Sequence, residues 1–250
     1  MSAIKNYPVL SRSPIEVAIF EIEFNSDVIF QSNNSKKFHS AIKDNFPQIS
    51  ENLNRNIELG NLANTAKTVA VSAPEVTEFR YISSDKNQIL AIDKRKFNFS
   101  INKAYSNWEQ NFPIFLDLWE VFDQLFGDNI NKISRISTRF INKIEISDMT
   151  SPSDYFNTTL YASEGIIQGE VLDYLAKYSS FLRNENVFLN VTQGFEPVQN
   201  RLSPYVFDID VISVAEIEKG EVPRSFEILR EVKNKTFFAN ITEKTLNLLL

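Results

Sequence analysis

His39 is the chain's only histidine, and there is no cysteine. Any Ser-His-Asp relay or imidazole metal ligand would therefore have to run through this one residue, which follows Phe38 on an expected helix. A lone histidine there reads as a surface side chain. Thiolate nucleophiles, disulfides, thiolate zinc sites and iron–sulfur clusters are excluded by composition. The six glycines are scattered and form no phosphate-cradling loop.

Asp208 and Asp210 stand two apart in a strand-like run, so their carboxylates share a face. Such a pair could begin a hard-cation site, but no further ligand follows at a suitable spacing, and a solvated sheet face explains it as well. Glu231-x-Lys233 matches a fragment of a nuclease signature but falls in a helical pattern, and is set aside. The surface feature with most promise is the row Arg135, Arg139, Lys143. A spacing of four on a strand separates successive cations by about 13 Å, at about 3.3 Å per residue. The row could dock a polyanion or an acidic partner. Equally, it could pair across strands with Glu21 and Glu23.

These residues need elements to hold them. Ile15–Phe24 alternates as a strand, with Ala18, Phe20, Ile22 and Phe24 on one face. Ser35 is placed to cap a helix carrying Phe38, Ile42 and Phe46, and residues 51–67 are ambiguous around Gly60. A β-meander follows over 68–72, 78–82, 88–93 and 97–101, punctuated by turn residues. Ser106-x-x-Glu109 reads as a capping box. Behind it Trp108, Phe112, Phe115, Trp119, Phe122 and Phe126 form a helical stripe, with Pro113 predicting a kink or a delayed start and Gly127 a C-terminal stop. Residues 133–146 give the longest strand pattern, with Ile136, Phe140, Ile144 and Ile146 opposite the cations. Beyond Pro152, strands are expected at 155–162, 188–192 and 206–215. Residues 165–178 read as irregular or partly helical, and 199–204 as a loop. A helix after Pro223 carries Phe226, Leu229, Lys233, Phe237 and Ile241.

The expected fold class is α+β. Antiparallel β-meander sheets pack against a long aromatic amphipathic helix, and a smaller β-rich lobe ends in a C-terminal helix. The boundary falls at the Met149–Asp154 connector, giving residues 1–148 and 149–250 as two lobes or one continuous domain. The 250 residues, 21 of them Phe, suffice for a large core. The net charge of −6 disfavours a general nucleic-acid binder. No apolar run approaches a membrane span, and the first eight residues lack the apolar centre of a secretion signal, so a cytoplasmic location is expected.

Several stretches together resemble a sporadically distributed family of conserved prokaryotic proteins without an assigned activity. They are Leu10-x-x-x-Pro14-Ile15-x-Val17 leading into Phe20-Glu21-Ile22-x-Phe24, Tyr105-x-x-Trp108-Glu109, the run from Ile133 through Arg135, Arg139, Phe140, Asn142 and Lys143 to Ile144, and Phe237-x-x-x-Ile241-Thr242. The resemblance spans nearly the whole chain. It departs at Phe140, where the family pattern has Tyr, and at Pro113. It supplies no catalytic residues, and a patchy distribution implies accessory or mobile loci such as phage defence or toxin–antitoxin modules. The expectation is a protein without cofactor or metal that acts by binding a protein partner or by self-assembly, with Arg135, Arg139 and Lys143 as the candidate surface. The alternatives are a metal-assisted nuclease or hydrolase using the acidic residues, and a small-ligand sensor with a cavity between sheet and helix.

Overall fold

The computed structural model describes residues 7–28, 32–54, 57–61, 67–71, 75–130, 132–146, 152–158, 173–195 and 203–250. The strands are β1 (Ile15–Phe24), β2 (Gln48–Asn54), β3 (Ile57–Asn61), β4 (Lys67–Val71), β5 (Glu75–Ile82), β6 (Gln88–Asp93), β7 (Lys96–Asn102), β8 (Ile133–Ile146), β9 (Tyr174–Leu182), β10 (Val187–Phe195) and β11 (Ser203–Ser213). The helices are α1 (Ser32–Ile42), α2 (Trp108–Phe126), α3 (Val222–Asn240) and α4 (Glu243–Leu249). Nine strands form one antiparallel sheet in the order β2-β5-β6-β7-β1-β8-β11-β10-β9, and β3 pairs with β4 as a separate hairpin. The fold is α+β, with the long aromatic helix and C-terminal helix that the periodicity indicates. Strands from either side of residue 148 share the sheet, because β8 pairs with β11 along its length, from Ile146↔Ser203 to Ile136↔Ser213.

One face of the sheet carries the core. Ala18, Phe20 and Ile22 of β1, Phe97 and Phe99 of β7, Phe140 of β8, and Phe207 and Ile209 of β11 are fully buried. Helix α2 lays its stripe on this face. Phe115 stacks on Phe20 at 5.3 Å, Trp119 meets Phe97 edge-on at 5.5 Å, and Phe122 stacks on Phe24 at 5.6 Å. Trp108, Phe115, Trp119 and Phe122 are all buried, as their spacing requires. Helix α3 covers β8 and β11 on the same side.

Local chemistry departs from the sequence reading in identifiable ways. The N-cap of α2 is Asn107, not Ser106: its extended backbone places the side-chain oxygen to accept from the Gln110 N–H at 2.8 Å. Ser106 Oγ instead accepts from the Asn111 side-chain amide at 2.8 Å. The helix starts five residues before Pro113, so the proline does not delay it. Gly127 keeps a right-handed conformation (φ −66°), and the chain runs on into a 3-10 turn over Gly127–Asn129. A Cβ there would meet only the ends of the Asp123 and Lys219 side chains, and the Lys219 ammonium donates to the Gly127 carbonyl at 2.7 Å. Helix α1 begins at Ser32, ahead of Ser35, and Phe46 is buried in the turn beyond its end.

Two segments of the second half differ more. Tyr174–Tyr178, read as irregular or helical, belongs to strand β9. Phe156 forms only an isolated bridge with Ile241 instead of a strand. The remainders of the expected 155–162 strand (159–162), of the 165–178 segment (165–172) and of the 199–204 loop (199–202) lie outside the described residues.

Candidate functional site

The predicted cations do share the helix-free face of the sheet, and each meets a carboxylate of its own chain. Arg135 donates to Glu23 at 2.9 Å, the cross-strand partner set by the β1–β8 register. Arg139 grips Asp208 through Nε at 2.9 and 3.1 Å and Nη2 at 2.6 Å. Lys143 approaches Glu16 at 3.7 Å. Glu21 accepts from Asn98 at 3.0 Å, and Lys96 adds a second contact to Glu23 at 2.9 Å. Charges alternate across β7, β1, β8 and β11, so the face is locally neutral. Because Glu23 keeps Lys96, Arg135→Gln is expected to lower stability by less than about 1 kcal/mol, as for other exposed pairs. Urea denaturation of the variant beside the parent checks this.

Asp208 and Asp210 also lie on this face. Asp208 is committed to Arg139, and Asp210 accepts from Asn190 Nδ2 at 3.2 Å. Burial raises the Asp210 carboxyl above its usual range, with the Asn190 hydrogen bond and Arg139 opposing. Among the described residues no three His, Asp or Glu side chains converge as a metal site. His39 is half-buried instead of facing solvent, tilted against the Tyr81 ring at 5.9 Å.

A cleft of about 830 Å³ opens on the opposite side of the sheet, between the N-terminal segment 7–15, the start of α2 and the middle of α3. Tyr7 closes one wall, its ring stacked on Phe238 at 4.8 Å and its hydroxyl donating to Glu231 at 3.3 Å. At the other wall the Trp108 indole N–H donates to Glu227 at 2.7 Å. The Arg230 guanidinium lies over the Trp108 ring at 5.1 Å and is tied to Glu109 and, at 3.4 Å, to Glu227.

Lys233 also lines this cleft. As a residue it is half-buried, and its ammonium is the inward end, 4.3 Å from the centroid of the buried Phe140 ring. Tyr105 stands edge-on to the same ring at 5.4 Å. No carboxylate among the described residues comes within 4.0 Å of that ammonium, although Arg230 one turn away has two. Burial pushes the amine down to about 7, Arg230 pushes the same way, and Glu109 opposes. The sequence contains a signal for this residue: Lys233 falls in the apolar stripe Phe226, Leu229, Phe237 of α3, where a charge is out of place.

One end of the sheet, at β9, is the third feature. β9 is an edge strand, and Leu175 (79%) and Phe181 (43%) expose large apolar side chains on the same face as the cation row. Phe181 packs against Phe188 of β10, itself 40% exposed, at 4.8 Å.

No family model matches the chain, and no curated protein matches it significantly. No helix among the described residues is long and apolar enough to cross a membrane.

Proposed function

We propose that this protein acts by self-assembly, two copies joining their β9 strands antiparallel into one continuous sheet. The carrying observation is the self-complementarity of the β9 edge. A two-fold axis through Tyr178 sets residue i against residue 356 − i of the second copy. Asp173 then faces Arg183, Leu175 faces Phe181, and Lys177 faces Ser179, each twice. The four positions inside the strand, Leu175, Lys177, Ser179 and Phe181, point to the same sheet face. Opposite charges meet at both ends, the two exposed apolar side chains cover one another, and the strand's only cation meets a hydroxyl. Moving the axis to Lys177 would set two lysines together and lose the Asp–Arg pairs.

Edge strands that stay single are commonly blunted by proline, bulges or several inward charges. β9 has an unbroken register with β10 and one lysine. Its outer backbone groups, which no strand among the described residues pairs, supply the hydrogen bonds of strand addition, and its side chains supply register. The pairing leaves the ion-paired face of each copy on one shared, extended surface. Such a non-enzymatic, assembling role suits the accessory loci that the family resemblance implies.

Sedimentation velocity on the full chain tests the reading. A dimer is expected, and Leu175→Lys with Phe181→Lys should convert it to a monomer that melts cooperatively. A wild-type chain that stays monomeric up to high micromolar concentration would exclude assembly through β9. A dimer that survives the double substitution would exclude it too.

A further inference from the structure

The α2–α3 cleft carries a separate inference, independent of how the sheet edges assemble. Lys233 combines three things that surface lysines lack. Its side chain lines an open cleft of about 830 Å³ that can admit a small molecule. It rests on an aromatic surface, Phe140 backed by Tyr105, with no carboxylate among the described residues in ion-pair contact. It also has a second cation, Arg230, one helical turn away, held in place by Glu109, Glu227 and the Trp108 ring. Desolvation and a neighbouring cation are the two means by which a lysine is held as a neutral, nucleophilic amine.

We propose that Lys233 is a covalent carbonyl-binding residue, its amine forming an imine with a small aldehyde of aromatic or short aliphatic body taken into the cleft lined by Trp108 and Tyr105. Arg230 is already paired with two carboxylates, so nothing in the cleft calls for an acidic group on the ligand. The amine lone pair attacks the carbonyl carbon, a C–N bond forms, and the carbonyl π electrons move to oxygen. One N–H proton passes to that oxygen to give the carbinolamine. Loss of the hydroxyl with the second N–H proton releases one water and leaves the C=N bond. No oxidant or reductant takes part.

The charged groups facing the amine are Arg230 and Glu109, and their opposing effects leave burial dominant. Near neutral pH a large fraction of Lys233 is therefore the free amine, against about one part in a thousand for an ordinary lysine. Lower basicity takes back part of that advantage in nucleophilicity.

Benzaldehyde with cyanoborohydride traps such an imine as a benzylamine. The full-length protein is treated at pH 7, and peptide mass spectrometry follows each lysine. Lys233 is expected to be alkylated on the order of tenfold or more faster than the other lysines. Its rate should level off above about pH 7 while theirs keep rising. Lys233→Arg should remove the fast site with the melting temperature preserved. Should that variant fail to fold, the site-resolved rates on the unaltered chain still decide. Alkylation of Lys233 at or below the rate of surface lysines, or with their pH profile, would overturn the proposal, whether the cause is an ordinary amine or a cleft closed to the aldehyde.

Discussion

Phe20→Ala is expected to lower the free energy of unfolding by about 3–5 kcal/mol, the range for removing a buried aromatic ring and leaving a cavity. Phe20 is fully buried in the strand at the middle of the sheet. Its ring lies within 6.4 Å, centroid to centroid, of Phe99, Trp108, Phe112, Phe115, Phe140 and Phe226. These neighbours come from β7, α2, β8 and α3, so no single element can shift to fill the space. The rigidity of the frame puts the substitution toward the upper end of the range. Guanidinium denaturation of parent and variant, with unchanged slope, measures it. A loss under about 1 kcal/mol would contradict this packing.

Lys233→Met is expected to have the second largest effect, with the opposite sign. Exchanging a buried cation that lacks an ion-pair partner for an apolar side chain of similar length commonly stabilises. The pH dependence identifies the cause. The folded-state amine titrates near 7, below its ordinary value, so between about pH 7 and pH 10 the unfolded chain binds the extra proton. Stability due to this group therefore rises with pH across that window. Below it, both states are protonated and the full cost of burying the charge is present. The gain from Lys233→Met should be greatest at pH 6 and shrink steadily toward pH 10, as read from melting temperatures in matched buffers. A gain independent of pH would assign the effect to packing alone.

How much of this was legible in the sequence depends on whether burial is one-sided. β1, β8 and α2 sit with one face in the core and one outside, so their periodicity wrote their boundaries into the residue order. β9 was missed because Tyr-Leu-Ala-Lys-Tyr-Ser-Ser-Phe-Leu at the sheet's rim is exposed along most of its length and shows no alternation. The cap of α2 moved by one residue because Ser106 and Asn107 are both competent caps, and backbone geometry chose between them. For the cations, alternation placed the row where it could meet Glu21 and Glu23, and Arg135 does meet Glu23. Arg139 went to Asp208, on a strand whose place beside β8 depends on tertiary topology. The cleft was hidden for the same reason: Lys233, Trp108 and Tyr7 come from distant parts of the chain. Only the lysine within an apolar stripe could have flagged it.

The position of β1 has a consequence for how the molecule is made. β1, first of the described strands in chain order, is fifth of nine in the sheet, bonded on one side to β7 and on the other to β8. One edge of β1 can be satisfied once residue 102 has emerged, by the local hairpins of β5, β6 and β7. The other waits for residues 133–146, and β8 in turn waits for β11 at 203–213. In each half the outer strands precede the inner one that joins them to the centre, so β1 and then β8 present an open, partly apolar edge until β7 and β11 follow. Late-arriving partners of this kind slow folding and expose nascent chains to mispairing. A chain stopped at residue 148 would end with β8 as a raw fourteen-residue edge, so synthesis must run through β11 before the centre of the sheet is sealed.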